Sequence, residues 1–453
     1  MTAVPEHIPG RRVTVAVIAA LLASSDSCCQ EVTEDLKLIA EFDVLTVSGF
    51  GDSVSLHDGL LVVGASTSFI GGAFGGSSFV FDIESGQQVR RLLPGPTQVA
   101  GFFGTSVLVD GDRTVVGAPL YDGQATDSGA LFVYDNTTGT QLTTLTVPGT
   151  FGSIHLGNAL AQHGSQYVVG ANYDQVNGAY SGSAHLYDWN KVFPVQSFYP
   201  DDGGVNDFFG DDVTSNGNMI FVGAPGDDDI GRSVGAVYQF DPTSGSQEFK
   251  YKPDGSVEFA GFGGALSADG DLLVIGAPAQ GSAGLVYVFD VASRELVMVL
   301  APDDGHVDDE FGCAVHLDGD IVVVGARSYD AFGLQRGAAY VFNARTGQQL
   351  QKLVASDGQQ SDRFGSSVVI EDELIVVGSP FEDNVRLDAG AVYMFDLSCV
   401  ADVNRDYQLT PADFTAWINA FNHDLPGCDQ NGDSACNPAD FTAWIANFNA
   451  GCP

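Results

Sequence analysis

The sequence predicts an all-β fold, a closed seven-bladed β-propeller, followed by a small all-α C-terminal domain made of two loop-and-helix units. Three observations predict it. A stretch such as FGTSVLVDGDRTVVGAP from Phe103, echoed as FGGALSADGDLLVIGAP from Phe262, recurs seven times, placing its VGA or VGS glycine at Gly64, Gly117, Gly170, Gly223, Gly276, Gly325 and Gly378. A second signature keeps the same beat, from SSFVFD ending at Asp82 and GALFVYD ending at Asp135 to GAVYMFD ending at Asp396. Beyond Cys399 the beat stops, and DVNRDYQLTPADFTAWINAFN from Asp402 returns 27 residues later as DQNGDSACNPADFTAWIANFN from Asp429.

The chain opens with residues 1–27, which read as an export signal: Arg11 and Arg12 precede an apolar run over 13–23, and the small residues Ala23, Ser24 and Ser25 follow. The run is too short for a permanent membrane span. Cleavage falls near Ser25 or Ser27. Cys28 raises a lipid anchor, but Ser25, Asp26 and Ser27 ahead of it do not make the small apolar box such anchors use. No later stretch is long and apolar enough to cross a bilayer.

A length of 453 residues would suggest about three ordinary domains. The repeats overrule that, because units of about 50 residues in register share one continuous core, as propellers and solenoids do. The period is 53 residues with a single step of 49, where Gly276 and Gly284 are 8 apart and the matching glycines elsewhere are 12 apart. Each unit reads as four strands: in the second, FGTSVLVD, RTVVGAP, ALFVYD and QLTTLTV. Tight turns such as Asp110, Gly111 and Asp112 join the first two, where Gly supplies the positive φ of a short hairpin. Strand two is apolar almost throughout, as in Ile321, Val322, Val323 and Val324, which suits a sheet covered on both faces.

The two ends of the array decide between an open solenoid and a ring. The seventh unit ends at Asp396 without a fourth strand, while the chain begins with an orphan strand over 36–40 that aligns with 351–354. Leu36 and Phe50 are 14 positions apart, as are Leu350 and Phe364. The first strand is therefore expected to complete the last blade and remove the free edges. The propeller spans 31–398.

With FG, VGAP and GAVYVFD-like strands in seven copies, the segment resembles the FG-GAP repeats of the integrin α-subunit propeller and of many secreted bacterial proteins. The resemblance implies a binding or scaffold role, and it is more specific for fold than for function. Relatives of the integrin kind often hold calcium in a DxDxDG loop between strands one and two. Here that loop is a turn such as Val109, Asp110, Gly111 and Asp112, so blade calcium is not implied. The longer connections, two to three and four to the next blade, emerge on one face and carry acidic clusters: Asp201 and Asp202, Asp207, Asp211 and Asp212, Asp303 and Asp304, Asp308 to Glu310. Asp227, Asp228 and Asp229 form the foremost loop for a weakly held ion or ligand; such acids also serve as plain turn formers.

In the tail, over 399–453, oxygen-bearing residues fall at loop positions one, three, five, nine and twelve: Asp402, Asn404, Asp406, Thr410 and Asp413, then Asp429, Asn431, Asp433, Asn437 and Asp440. A hard cation such as calcium takes six to eight oxygens at flexible distances, and this spacing wraps them round one point. A helix follows each loop, capped by Thr410 or Asn437, with Pro411 or Pro438 in its first turn and an Asp near its positive end. Phe414, Trp417, Ile418 and Phe421, matched by Phe441, Trp444, Ile445 and Phe448, give each helix an apolar face, and the two faces are expected to bury each other. The tail resembles a type I dockerin, whose doubled calcium loops bind cohesin modules; this implies calcium as cofactor and a cohesin-like module as a partner. Tyr407 and Ser434 stand where loop position six is usually Gly. Pro411-Ala412 and Pro438-Ala439 stand where dockerins often carry small hydroxyl residues. Cys399, Cys428, Cys436 and Cys452 predict two disulfides, 399 with 452 and 428 with 436, the other pairings remaining open. Cys313 reads as a lone buried thiol.

With 58 acidic against 18 basic residues and a net charge of −40, nucleic acid and anionic membranes are excluded as partners. No GxSxG elbow, HExxH helix, CxxC pair or P-loop appears, the string GRSVG over 231–235 falling between two strands of a repeat and not ahead of a helix, and the eight histidines are scattered, His57 and His163 by turns, His316 in a strand and His423 after a helix. The reading is a secreted or cell-surface, non-enzymatic binding scaffold whose propeller meets an extracellular protein or polysaccharide and whose calcium-dependent tail attaches it. The alternative is a polysaccharide-active enzyme, a glycosidase or lyase, that uses two of the many acids across a cleft.

Overall fold

The computed structural model describes residues 31–40, 49–70, 73–94, 101–123, 125–147, 152–253, 255, 257–329, 335–383, 388–397, 403, 411–423, 425–428, 430, 436 and 438–450. Two compact units emerge. One runs from Cys29 to Asp396, and the tail belongs to the other. Residues 1–27, expected above to be an export signal, lie outside the described residues with Cys28, as do Cys399 and Cys452.

The first unit is a seven-bladed propeller, each blade a four-stranded antiparallel meander. In blade two the order is Val107–Asp110, Arg113–Ala118, Ala130–Asp135 and Gln141–Leu145. Strand two is the buried spine: Val322, Val323 and Val324 of blade six are fully buried, each worth roughly 1.5–3 kcal/mol of transfer from water. The Asp or Asn that closes strand three turns the chain with its own side chain. Asp135 Oδ1 accepts from Thr138 N at 2.7 Å, as Asp82 does from Ser85 and Asp290 from Ser293.

The two glycines of the repeat serve the seams. Gly104, following Phe103, donates its N–H to the Gly117 carbonyl of its own blade, while its own carbonyl lies where a Cβ on Gly64 of the preceding blade would sit. The same relation joins Gly117 to Gly157, Gly170 to Gly210, Gly223 to Gly263, Gly276 to Gly312, Gly325 to Gly365 and Gly378 to Gly51. Seven such contacts close the circle.

Closure comes from the first strand. Leu36–Leu38 pairs antiparallel with Ala391–Asp396, Leu36 opposite Met394 and Leu38 opposite Val392. A feature the pattern does not announce precedes it: Glu31–Thr33 adds a parallel fifth strand to blade six, opposite Lys352, Leu353 and Val354. Strand one runs from the FG phenylalanine in blade one (Phe50–His57) and blade six (Phe311–Asp318) and starts later in the other blades, as at Val107 in blade two, although the FG glycine is at positive φ in each of these three (Gly51 at 98°, Gly312 at 91°, Gly104 at 95°). Blade one carries an extra hairpin, Phe69–Ile70 with Ala73–Phe74.

In the tail, α1 (Pro411–His423) and α2 (Pro438–Ala450) pack through rings: Phe414 lies 5.7 Å from Phe441 and 5.2 Å from Trp444, and Trp417 lies 5.4 Å from Phe441. Trp417 donates its indole N–H to the Cys428 carbonyl at 3.2 Å. The buried stripe is centred on Trp417 and Trp444, so Ile418 and Ile445, a residue further round each helix, are 40% exposed rather than part of the buried face. Cys428 and Cys436 form a disulfide.

Candidate functional site

The axis of the propeller is a cavity of about 550 Å³ lined by the innermost strands of all seven blades. An innermost strand has no partner on its axial edge, and side chains of the preceding blade satisfy part of that edge. Ser55 Oγ accepts from Val109 N at 3.0 Å, Ser267 Oγ from Leu317 N at 2.9 Å and His316 Nδ1 from Ile370 N at 3.3 Å. The acids of the wall do the same. Asp212 Oδ2 accepts from Leu266 N at 2.6 Å, Asp269 from Gly319 N at 2.8 Å, Asp318 from Asp372 N at 2.6 Å, and Glu371 from Asp58 N at 3.3 Å across the closing seam. Burial pushes the Asp212 carboxyl up to about 7 despite its amide partners.

The histidines are similarly engaged. His57 and His163 end their innermost strands; His57 Nδ1 is 2.9 Å from Glu371 Oε1 and His163 Nδ1 is 2.8 Å from Ser215 Oγ. His185 is buried between Ser183 Oγ at 3.0 Å and Ser197 Oγ at 2.9 Å, and burial pushes its pKa down to about 4, so it is neutral near pH 7. Cys313 is half-buried and places its thiol 3.5 Å from the Gly365 carbonyl.

The loop face carries two kinds of feature, the first of them acidic. The acids of the 227–229 loop meet ammonium groups of their own chain: Lys250 Nζ lies 2.6 Å from Asp227, 2.6 Å from Asp229 and 2.8 Å from Asp202, and Lys252 lies 3.0 Å from Asp229. Those lysines hold the Asp229 carboxyl down at about 2. Asp227 also accepts from Tyr238 Oη at 2.7 Å, while Asp228 is exposed. The same socket recurs with Lys352, Asp304 and Tyr340 in blade six and with Lys37, Asp357, Glu382 and Tyr393 in blade seven. In each, a strand-four lysine ties the incoming interblade connection to its blade. The sequence clue was the shared strand-four lysine, which the acidic runs overshadow. Asp207 and Asp362 are buried loop caps, accepting from Gly204 N at 2.5 Å and Gln359 N at 2.6 Å.

The second kind of loop feature is aromatic. Where the loops of blades three and four meet, His155 stacks on Tyr173 with ring centroids 4.0 Å apart, Tyr173 meets Tyr180 at 4.8 Å, and Phe208 meets Tyr173 at 5.8 Å and Tyr180 at 6.1 Å.

In the tail, Asp413 and Asp440, the twelfth positions of the two loops, are fully buried at the first turns of their helices, and Asp440 Oδ1 accepts from Gln430 N at 3.0 Å. Asp402, Asn404, Asp406, Thr410, Asp429, Asn431, Asp433 and Asn437 lie outside the described residues. Among the described residues no three His, Cys, Asp or Glu side chains gather as a metal cluster, and no helix is long and apolar enough to cross a membrane.

A ring of seven like blades with a self-satisfied axis defines a propeller whose variation lies in its loops. A model of the FG-GAP repeat matches residues 87–134, 193–240, 295–342 and 348–395. This chain carries FG-GAP repeats in a seven-bladed β-propeller. None of the curated proteins matches it. Among solved structures, the crystal structure of the computationally designed Ika8 protein is similar at 19% identity, covering 77% of this chain and 96% of that one with a TM-score of 0.47.

Proposed function

We propose that the protein is a non-enzymatic binding scaffold, exported after loss of 1–27, whose loop face receives an extracellular protein or polysaccharide. The carrying observation is the division of labour between axis and loops. Wall carboxylates that a hydrolase would aim at a substrate accept backbone amides of the next blade, whereas rings and the Asp228 carboxylate face solvent on the loops. The Cys428–Cys436 disulfide suits an oxidising compartment.

The tail attaches this scaffold through calcium. Asp402, Asn404, Asp406, Thr410 and Asp413 would hold one ion, and Asp429, Asn431, Asp433, Asn437 and Asp440 a second; buried Asp413 and Asp440 carry the anionic oxygens such a site needs. Calcium would supply the charge that lets those carboxylates converge. A cohesin-like module is the partner of that surface.

Calorimetric titration of calcium into the EGTA-stripped full chain tests the tail: saturable uptake that Asp413→Ala together with Asp440→Ala abolishes is expected, and no uptake by wild type overturns the calcium reading. Reducing-sugar release from polysaccharides by the full chain would overturn the non-enzymatic reading.

A further inference from the structure

We propose that the His155, Tyr173, Tyr180 and Phe208 cluster is the stacking platform of a neutral-polysaccharide site on the loop face. This rests on the binding reading above and names its ligand class.

The chain's own repeats act as the control for what the fold requires. The position of Phe208, just before the FG motif, is Gly49 in blade one and Gly261 in blade five, both at positive φ (74° and 68°). The position of Tyr173 is Thr67 in blade one and Ala279 in blade five, and that of Tyr180 is Asp127 in blade two and Asp388 in blade seven. The frame therefore closes without rings at any of these places, and the blade three to four seam fills all of them.

These rings sit against the preference of the backbone. Phe208, Tyr180 and His155 have φ of 55°, 56° and 58°, the left-handed region where a bulky side chain is strained and Gly, Asn or Asp is at ease. The repeat itself sets this φ, since Phe102, Glu310 and Arg363 hold the position of Phe208 at 51°, 59° and 57° and Asp127, Ser233 and Asp388 that of Tyr180 at 52°, 49° and 52°; what distinguishes this seam is that rings fill both positions and stack. The rings are not hidden in compensation: Tyr180 is 38% exposed, the other three are half-buried, and Val176 and Val205 beside them are 58% and 57% exposed. Gly226 packs against the same segment: a Cβ there would overlap the Asn206 carbonyl oxygen and lie 3.0 Å from Phe208 Cδ2, so the backbone of the Phe208 loop already requires glycine.

The occupant follows from charge and shape. Burial lowers the pKa of His155, so the platform is uncharged near pH 7. A net charge of −40 repels polyanions, and exposed Asp201 and Asp228 on the loops of the same seam are acceptors for hydroxyl groups. Flat, electron-rich faces, with hydroxyl acceptors on loops of the same two blades, complement a pyranose ring, whose C–H face is apolar and whose rim carries hydroxyl groups.

The test is affinity electrophoresis of the full chain through gels containing mixed-linkage glucan, xylan, galactomannan or, as the anionic control, polygalacturonate. Wild type is expected to be retarded by at least one neutral polymer and not by polygalacturonate. Phe208→Gly and Tyr180→Asn should each weaken that retardation at least tenfold while leaving the melting temperature unchanged or higher, which a purely structural role for the rings would not allow. Retardation by polygalacturonate alone, no retardation by any neutral polymer, or variants that melt lower and still bind would each overturn the platform. A protein ligand held equally by wild type and both variants would overturn it as well and leave the binding reading standing.

Discussion

The carbonyl oxygen of Gly51 in blade one occupies the place where a side chain on Gly378 of blade seven would begin. It is the last of seven such contacts, and it joins the two ends of the repeat array. Gly378→Ala should therefore force the closing seam apart and destabilise the propeller by about 1–3 kcal/mol, the usual penalty of overpacking. Urea unfolding of the full chain checks this, with Gly164→Ala, whose Cβ would meet open space at a φ of 59°, showing what left-handed strain alone does.

Closure also predicts a length threshold at the N terminus. Removing residues through 33 takes away only the parallel fifth strand of blade six and should lower the melting temperature modestly. Removing residues through 40 strips blade seven of its fourth strand and of Lys37, which lies 2.9 Å from the buried Glu382. That shorter chain should be digested rapidly by protease at sites in 364–396.

Lys352→Met tests the socket in blade six. Lys352 is 4% exposed, lies 2.6 Å from Asp304 and sits over the Tyr329 ring at 4.0 Å. Losing the ammonium strips the partly buried Asp304 carboxylate of its cation and leaves it to the Tyr340 and Tyr329 hydroxyls, for a cost of about 1–3 kcal/mol by thermal or urea unfolding. Burial opposes the Asp304 charge, but Lys352 and Tyr340 outweigh it and hold its pKa below the ordinary value. A depressed carboxylate stabilises above its unfolded pKa, so this contribution should disappear as the pH falls below about 4.

Asp52 and Asp212 work in the opposite direction. Burial raises their carboxyls to about 6 and about 7, above the unfolded value near 3.8. The folded chain then binds more protons than the unfolded one between those values, and stability should fall as the pH rises from about 4 to about 7. Asp52→Asn, whose Ser66 Oγ partner at 2.5 Å retains an acceptor, should flatten the fall by about 1–3 kcal/mol in a series of urea titrations.

Cys313 occupies the position of Ser366 in blade seven and Thr105 in blade two. Cys313→Ser is expected to keep the link to the Gly365 carbonyl and change stability by less than about 0.5 kcal/mol. Burial raises the thiol pKa, so its reaction with a disulfide reagent in the native protein should be slow and should accelerate on unfolding.

Much of the frame was legible because a repeat fold writes each of its requirements seven times. The VGA and FG glycines stand out in the sequence for the reason they matter in space: each must admit a neighbouring backbone where a Cβ would not fit. The strand over 36–40 was legible as the missing partner of Ala391–Asp396 for the same reason. The candidate site was harder to read. Phe208 and Tyr180 look like ordinary loop residues until their φ values and their stacking are known. Glu31–Thr33 was illegible because edge pairing is made by backbone groups and leaves little trace in side chains. Asp227 and Asp229 looked like an ion loop because a run of acids does not show that Lys250, more than twenty positions away, will lie against it.

By itself the sequence determined the number of blades, the four-strand unit, the ring closure and the doubled tail, since each depends on residue type at a fixed spacing along the chain. Only the tertiary structure decided which acids face cations, which histidines are neutral and where rings from two blades converge. Those outcomes depend on distances between separate blades, and burial and Coulomb energies respond to that separation and not to position in the chain.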